Sequence, residues 1–118
     1  MGNTDNHLRN YGFLHGRVGW RLSPAFDVNP TSGSERKYLA TGLDFNNRDA
    51  EPEAAYAVCD FFRVSAEEAR SMASEMARVL SGWRRAARTD GISEASIDTM
   101  ADCFETGIYK LKEIARKR

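Results

Sequence analysis

The chain changes character near residue 50, and that break constrains the fold more than any single motif. Residues 1–49 hold six of the nine glycines, two of the three prolines and six asparagines. Glycine adds backbone entropy that a helix must freeze out, and proline removes a donor and clashes with the preceding turn, so regular helix is not expected there. From Glu51 onward the chain is rich in alanine, and its apolar residues recur every three or four positions, the period of an amphipathic helix. The expected fold is mainly α with a small β-hairpin. Residues 1–50 supply loops and the hairpin, and residues 51–118 supply the helical scaffold of the same domain.

In the first half, residues 11–15 and 20–24 read as two short strands around a glycine-bounded turn at 16–19, with Pro24 ending the second. Residues 27–36 are dense in turn formers and read as an exposed loop, followed by a short strand at 37–40. In the second half, Pro52 suits the first position of a helix in which Ala55, Val58, Cys59 and Phe62 share a face. Ser65 and Glu68 form a capping-box pair that opens a long helix, carrying Ala69, Met72, Ala73, Met76, Val79, Leu80 and Trp83 on one apolar face and stopping by Asp90 and Gly91. Ser93 caps a further helix through Ile97, Met100, Ala101, Phe104, Ile108 and Leu111, with Gly107 a weak point at which the segment could divide. These faces predict a core containing Phe62, Met76, Leu80, Trp83, Met100, Phe104 and Leu111, and Trp20 is expected to be a core aromatic as well.

At 118 residues the chain is one domain, large enough to bury roughly two-thirds of its unfolded surface without disulfide or metal staples. Seventeen Lys and Arg balance seventeen Asp and Glu, which argues against holding nucleic acid by bulk charge. Local basic clusters lie at Arg84, Arg85 and Arg88 and in the tail, where Lys110, Lys112, Arg116, Lys117 and Arg118 face a single Glu113. Solvated helix faces and complements to helix C-terminal dipoles explain them at least as well as a partner does. No apolar run is long enough to span a membrane and the N-terminus is polar, so a cytoplasmic location is expected. Cys59 and Cys103 lack metal-ligand spacing and read as reduced core residues.

The first ten residues spend Asn3, Asp5, Asn6, His7 and Asn10 within eight positions, more polar side chains than a solvated turn requires. Asp5 and Asn10 are separated by four residues, and a hairpin-length segment leads to Asp27. Phosphoryl transfer uses this set of functions. One carboxylate orients the attacking hydroxyl and accepts its proton, while an amide oxygen and a second carboxylate hold the Mg²⁺ that bridges the nucleotide phosphates. Protein kinases space their catalytic-loop Asp and Asn in the same way.

The surrounding words are more specific than the spacing. GNTDNHLRN at 2–10, the aromatic hairpin, and WRLSPAFDVNP at 20–30 together closely resemble the C-terminal region of the HipA-like serine/threonine kinases, bacterial toxins of toxin–antitoxin pairs. The resemblance implies the C-lobe portion of a HipA-like protein-kinase fold, with Asp5 as the catalytic Asp and with Asn10 and Asp27 as Mg²⁺ ligands. The cofactors it implies are ATP and Mg²⁺. It also implies a protein substrate, such as an aminoacyl-tRNA synthetase, and a DNA-binding antitoxin of the HipB type as partner. His7 stands where protein kinases usually place a Lys that reaches the transferred phosphate; a hydrogen bond that holds the loop is the favoured reading of it and a phosphate contact the alternative.

The departure from the family is equally informative. Its members are several times longer, and their N-terminal lobe brings a phosphate loop and a phosphate-pairing Lys, neither of which this chain contains. A piece of a longer protein, a split gene and a free-standing remnant all fit, and the isolated chain is expected to be inactive. The alternative reading is a non-catalytic interaction module that binds an antitoxin or partner subunit. Thr31, Ser32 and Ser34 follow Asp27 where an activation segment would lie, but a flexible turn explains them better than phosphorylation does.

Overall fold

The computed structural model describes residues 3–5, 7–33 and 35–118; the readings made above for Asn6 and Ser34 lie outside them. Two strands, β1 (Phe13–Gly16) and β2 (Gly19–Leu22), pair antiparallel with Phe13 opposite Leu22 and His15 opposite Trp20. Arg17 and Val18 make the turn, and Gly19 supplies the positive φ of 118° that closes it. Four helices follow: α1 (Pro52–Ala57), α2 (Ala66–Leu80), α3 (Trp83–Thr89) and α4 (Glu94–Ala115). The chain is therefore mainly helical with one two-stranded hairpin.

The caps explain where the helices begin and end. Ser65 Oγ accepts from the Glu68 amide while the Glu68 carboxylate accepts from the Ser65 amide, so α2 opens on a complete capping box. The helix does not run on to Asp90 as expected. It breaks at Ser81 and Gly82, where the Ser81 hydroxyl donates to the Ala77 carbonyl at 2.7 Å and glycine lowers the cost of leaving the helix. α3 closes on Gly91 at φ 77°, with Gly91 and Ile92 amides donating to the Arg88 and Ala87 carbonyls. That is the Schellman arrangement. Gly107 does not divide the last helix: α4 runs unbroken for 22 residues and Gly107 is buried within it.

α4 is the spine against which α1, α2 and α3 all pack. The buried residues are Ala54 and Val58 at α1, Ala73 and Ala77 on α2, Ile97, Cys103 and Ile114 on α4, and Leu39 from the preceding loop. This corrects the expected core. Phe62 and Met76 are 61% and 52% exposed, while Leu80, Trp83, Met100, Phe104 and Leu111 are only half-buried. The alanine stripe, rather than the methionines, faces α4, because small side chains let two helix backbones approach closely and push the larger apolar residues to the margins. There Trp83 stacks on Phe104, rings 4.4 Å apart and 9° from parallel. Ion pairs tie α1 to α4, with Lys110 on both oxygens of Glu51 and Lys117 on Glu53. An open apolar groove of about 510 Å³ remains between α1, α2 and α4, bordered by Tyr56, Phe62, Met72 and Met76.

Trp20 is also not a core residue. It is 72% exposed, in edge contact with His15, and Phe13 and Leu22 on the same face of the hairpin are 64% and 57% exposed. The expected strand at 37–40 reduces to a single bridge between Tyr38 and Asp49. Arg36 grips the Asp49 carboxylate through two bonds of 2.9 and 2.7 Å beside it. Cys59 is half-buried, Cys103 is buried, and neither forms a disulfide. Arg84 and Arg88 are engaged within the chain, with Glu105 and Glu94 respectively. No helix of the described residues is long and apolar enough to cross a membrane.

Candidate functional site

The hairpin is the device that joins the two polar loops. A 3-10 turn, Leu8–Asn10, leads from the first loop into β1, and residues 23–26 lead out of β2 to Asp27. The turn is held by the Asn10 amide donating to the His7 carbonyl at 2.9 Å, and the hairpin is extended at its base by the Ser23 amide donating to the Gly12 carbonyl at 2.8 Å. The two ends of a hairpin must lie side by side, so residues distant in sequence by 17 positions or more share one neighbourhood.

Asp5 projects into solvent with its side chain 79% exposed. Asn10 reaches back across the loop, donating from Nδ2 to the Asp5 main-chain carbonyl at 2.8 Å, which leaves its Oδ1 as the acceptor end of the amide. His7 lies with Nε2 3.7 Å from an Asp5 carboxylate oxygen, too long for a hydrogen bond. Its Nδ1 is buried without a hydrogen-bond partner among the described residues, so within them the loop-holding bond expected as one role of His7 is not made by that atom.

Asp27 occupies a left-handed backbone conformation, φ 55°, one of two non-glycine residues with positive φ among the described residues. Asn29 Nδ2 donates to Asp27 Oδ1 at 2.9 Å, and Asn3 Nδ2 donates to the Asp27 carbonyl at 3.3 Å. The Thr4 and Thr31 hydroxyls meet at 3.2 Å, and the Ala40 amide donates to the Thr4 carbonyl at 3.1 Å. The first loop is therefore laced to the segment that carries Asp27 and, through Ala40, to the loop covering the helices. A cleft of about 140 Å³ opens between them, lined by Asn3, Asn10, Phe26 and Val28 among others. Asn10 and both sequence neighbours of Asp27 border this one cleft.

The available donors are carboxylate and amide oxygens, the hard ligands that suit Mg²⁺. Among the described residues no three His, Cys, Asp or Glu side chains gather into a metal-binding group. Neither Asn29 nor Asn3 is among the site residues expected from the sequence, where Asn3 is only one of several polar residues. The dipeptide Asn29-Pro30 two positions after Asp27 is a recognisable local turn signal, whereas no local pattern points to the bond from Asn3. Thr31, read as a candidate for modification, has its hydroxyl paired with that of Thr4; Ser32 is exposed.

Compared with known proteins, residues 1–83 match the HipA-like C-terminal domain. The match takes in both polar loops, the hairpin, α1 and α2, and it ends at the first residue of α3. No curated protein and no solved structure gave a significant match.

Proposed function

The chain belongs to the HipA-like C-terminal domain family, and from that premise we propose that it is the C-lobe portion of a serine/threonine protein kinase. The observation that carries the reading is the pair of polar loops, one with Asp5 and Asn10 and the other with Asp27, joined by a hairpin and laced by the Asn3 bond inside the family match. Asp5 takes the proton of the substrate Ser or Thr hydroxyl as its oxygen bonds to the γ-phosphorus of ATP. The bond from that phosphorus to the β–γ bridging oxygen breaks and ADP departs. Asn10 and Asp27 would hold Mg²⁺, which when bound neutralises charge on the phosphates. His7, with Nε2 3.7 Å from an Asp5 carboxylate oxygen, would contact phosphate. Exposure of Asp5 suits a group that must meet a hydroxyl on another protein.

The family's substrate and partner come with this reading: a translation-related protein such as an aminoacyl-tRNA synthetase, and a DNA-binding antitoxin of the HipB type. The phosphate loop and its Lys would come from a nucleotide-binding lobe not included in these 118 residues. Calorimetry with Mg·ATP on the purified chain tests that division. No micromolar binding and no phosphotransfer are expected; micromolar binding with turnover abolished by Asp5→Ala overturns the division by making the chain self-sufficient.

A second reading, a non-catalytic interaction module, is favoured by the open groove beside Met72 and Met76 and by the exposed hairpin face of Phe13, Trp20 and Leu22. The DNA immediately upstream of the Met1 codon discriminates. A frame encoding a phosphate loop and a Lys supports the kinase reading, and its absence supports the module.

A further inference from the structure

We propose that Asn29 is a positioning residue for the Asp27 carboxylate, fixing one oxygen so that the other is presented to a divalent cation; this rests on the metal-binding reading of Asp27 given above. Glycine would adopt the left-handed backbone at residue 27 with less strain, yet the position carries a carboxylate at φ 55°. The other non-glycine residue in this conformation, Arg63, merely ends a 3-10 turn. Asp27 is different because its side chain is itself restrained, by Asn29 Nδ2 on Oδ1 at 2.9 Å. Among the described residues that leaves Oδ2 as the carboxylate oxygen for a ligand.

The choice of an amide at residue 29 has a chemical logic. Lys or Arg there would also donate, but would neutralise the charge that attracts a cation. Asn orients the carboxylate and leaves its full charge in place, as outer hydrogen-bond partners of metal-ligating carboxylates commonly do. Pro30 restricts the backbone of Asn29, the residue before it, to extended conformations, so the donor is held by a segment with little freedom. From the opposite side of the cleft, Asn3 anchors the Asp27 carbonyl. The backbone and the side chain of Asp27 are thus held by different asparagines, from different loops.

The test uses the ¹⁵N-labelled 118-residue chain with Mn²⁺ as the probe, because paramagnetic broadening reports weak sites that calorimetry misses. Wild type is compared with Asn29→Ala and with Asp27→Gly, which tolerates the left-handed backbone and removes the carboxylate. The HN–Hα coupling of residue 27, measured without metal, reports its backbone angle. Mn²⁺ is expected to broaden the amides around Asn10 and Asp27 in wild type and to lose that effect in Asp27→Gly. Asn29→Ala is expected to weaken the apparent affinity by about tenfold or more, with the residue 27 coupling and the melting temperature unchanged. Equal affinity in Asn29→Ala and wild type, or a changed coupling at residue 27, overturns the positioning role and leaves the metal reading intact. Wild type that behaves like Asp27→Gly removes the metal reading, and the positioning role with it.

Discussion

The side-chain amide of Asn10 donates to the main-chain carbonyl of Asp5 at 2.8 Å, so the residue proposed as a metal ligand also closes the loop that carries the proposed proton acceptor. One side chain thereby has a mechanical task at its nitrogen and a chemical one at its oxygen. Asn10→Ala removes both. A hydrogen bond of this kind contributes about 1 kcal/mol. Amide exchange in residues 7–11 should therefore quicken several-fold, while the global melting temperature moves little because the bond is solvent-exposed. A large fall in melting temperature would mean that the loop supports the core.

Core energetics should follow the alanine stripe rather than the larger apolar residues beside it. Ile97 is 1% exposed and Phe62 is 61% exposed. Ile97→Ala should cost about 2–5 kcal/mol in urea unfolding, and Phe62→Ala less than about 1 kcal/mol. The half-buried Phe104 should fall between them, at roughly 2–3 kcal/mol, because Phe104→Ala loses its stack on Trp83 and only part of a buried ring's contribution. Near-ultraviolet circular dichroism should record the loss of that stack. The reverse order for Ile97 and Phe62 would place the core on the groove side of α2.

Acid should destabilise the fold through named carboxylates. Hydrogen bonds from the Arg36 guanidinium hold Asp49 below its ordinary value of 3.8, and Arg88 likewise holds Glu94 below 4.5. The Ser65 amide and then its hydroxyl lower Glu68. A carboxyl whose folded pKa is depressed binds more protons when unfolded, so its contribution is present above about pH 4.5 and lost as pH falls through the folded value. The urea midpoint should be level from pH 7 to 5 and fall below that. Arg36→Ala and Arg88→Ala should flatten the fall, and salt should weaken these exposed ion pairs. A midpoint that is independent of pH down to 3 contradicts the assignment.

Much of the architecture is legible in local chemistry. The Ser65 and Ser93 caps mark the starts of α2 and α4, Gly91 marks the stop after α3, and the glycines at 16 and 19 bound the hairpin turn. What local chemistry does not carry is the choice of neighbour. The apolar arc of α2 spans both Ala73 and Met76, and only the approach of α4 decides that Ala73 is 5% exposed and Met76 52%. The alternation in the hairpin marks Phe13, Trp20 and Leu22 as one face but cannot say that the face stays uncovered in this chain. At the candidate site, the identities of Asp5, Asn10 and Asp27 stand out by spacing and by resemblance. The bonds from Asn3 to Asp27 and from Thr4 to Thr31 span 24 and 27 residues, beyond the reach of any turn pattern.

The central claim, that Asp5 with Asn10 and Asp27 forms the hydroxyl-activating and metal-binding half of a phosphoryl-transfer centre, is tested most directly by completing the centre. The chain is fused behind the nucleotide-binding lobe of a HipA-like kinase, and transfer of labelled γ-phosphate to a Ser/Thr protein substrate of that kinase is measured. The fusion should transfer phosphate, and Asp5→Ala should lower the rate by about 100-fold or more at unchanged ATP affinity, whereas Asp27→Gly should weaken Mg·ATP binding as well. A folded fusion that binds Mg·ATP yet transfers no more phosphate than its Asp5→Ala variant contradicts the claim.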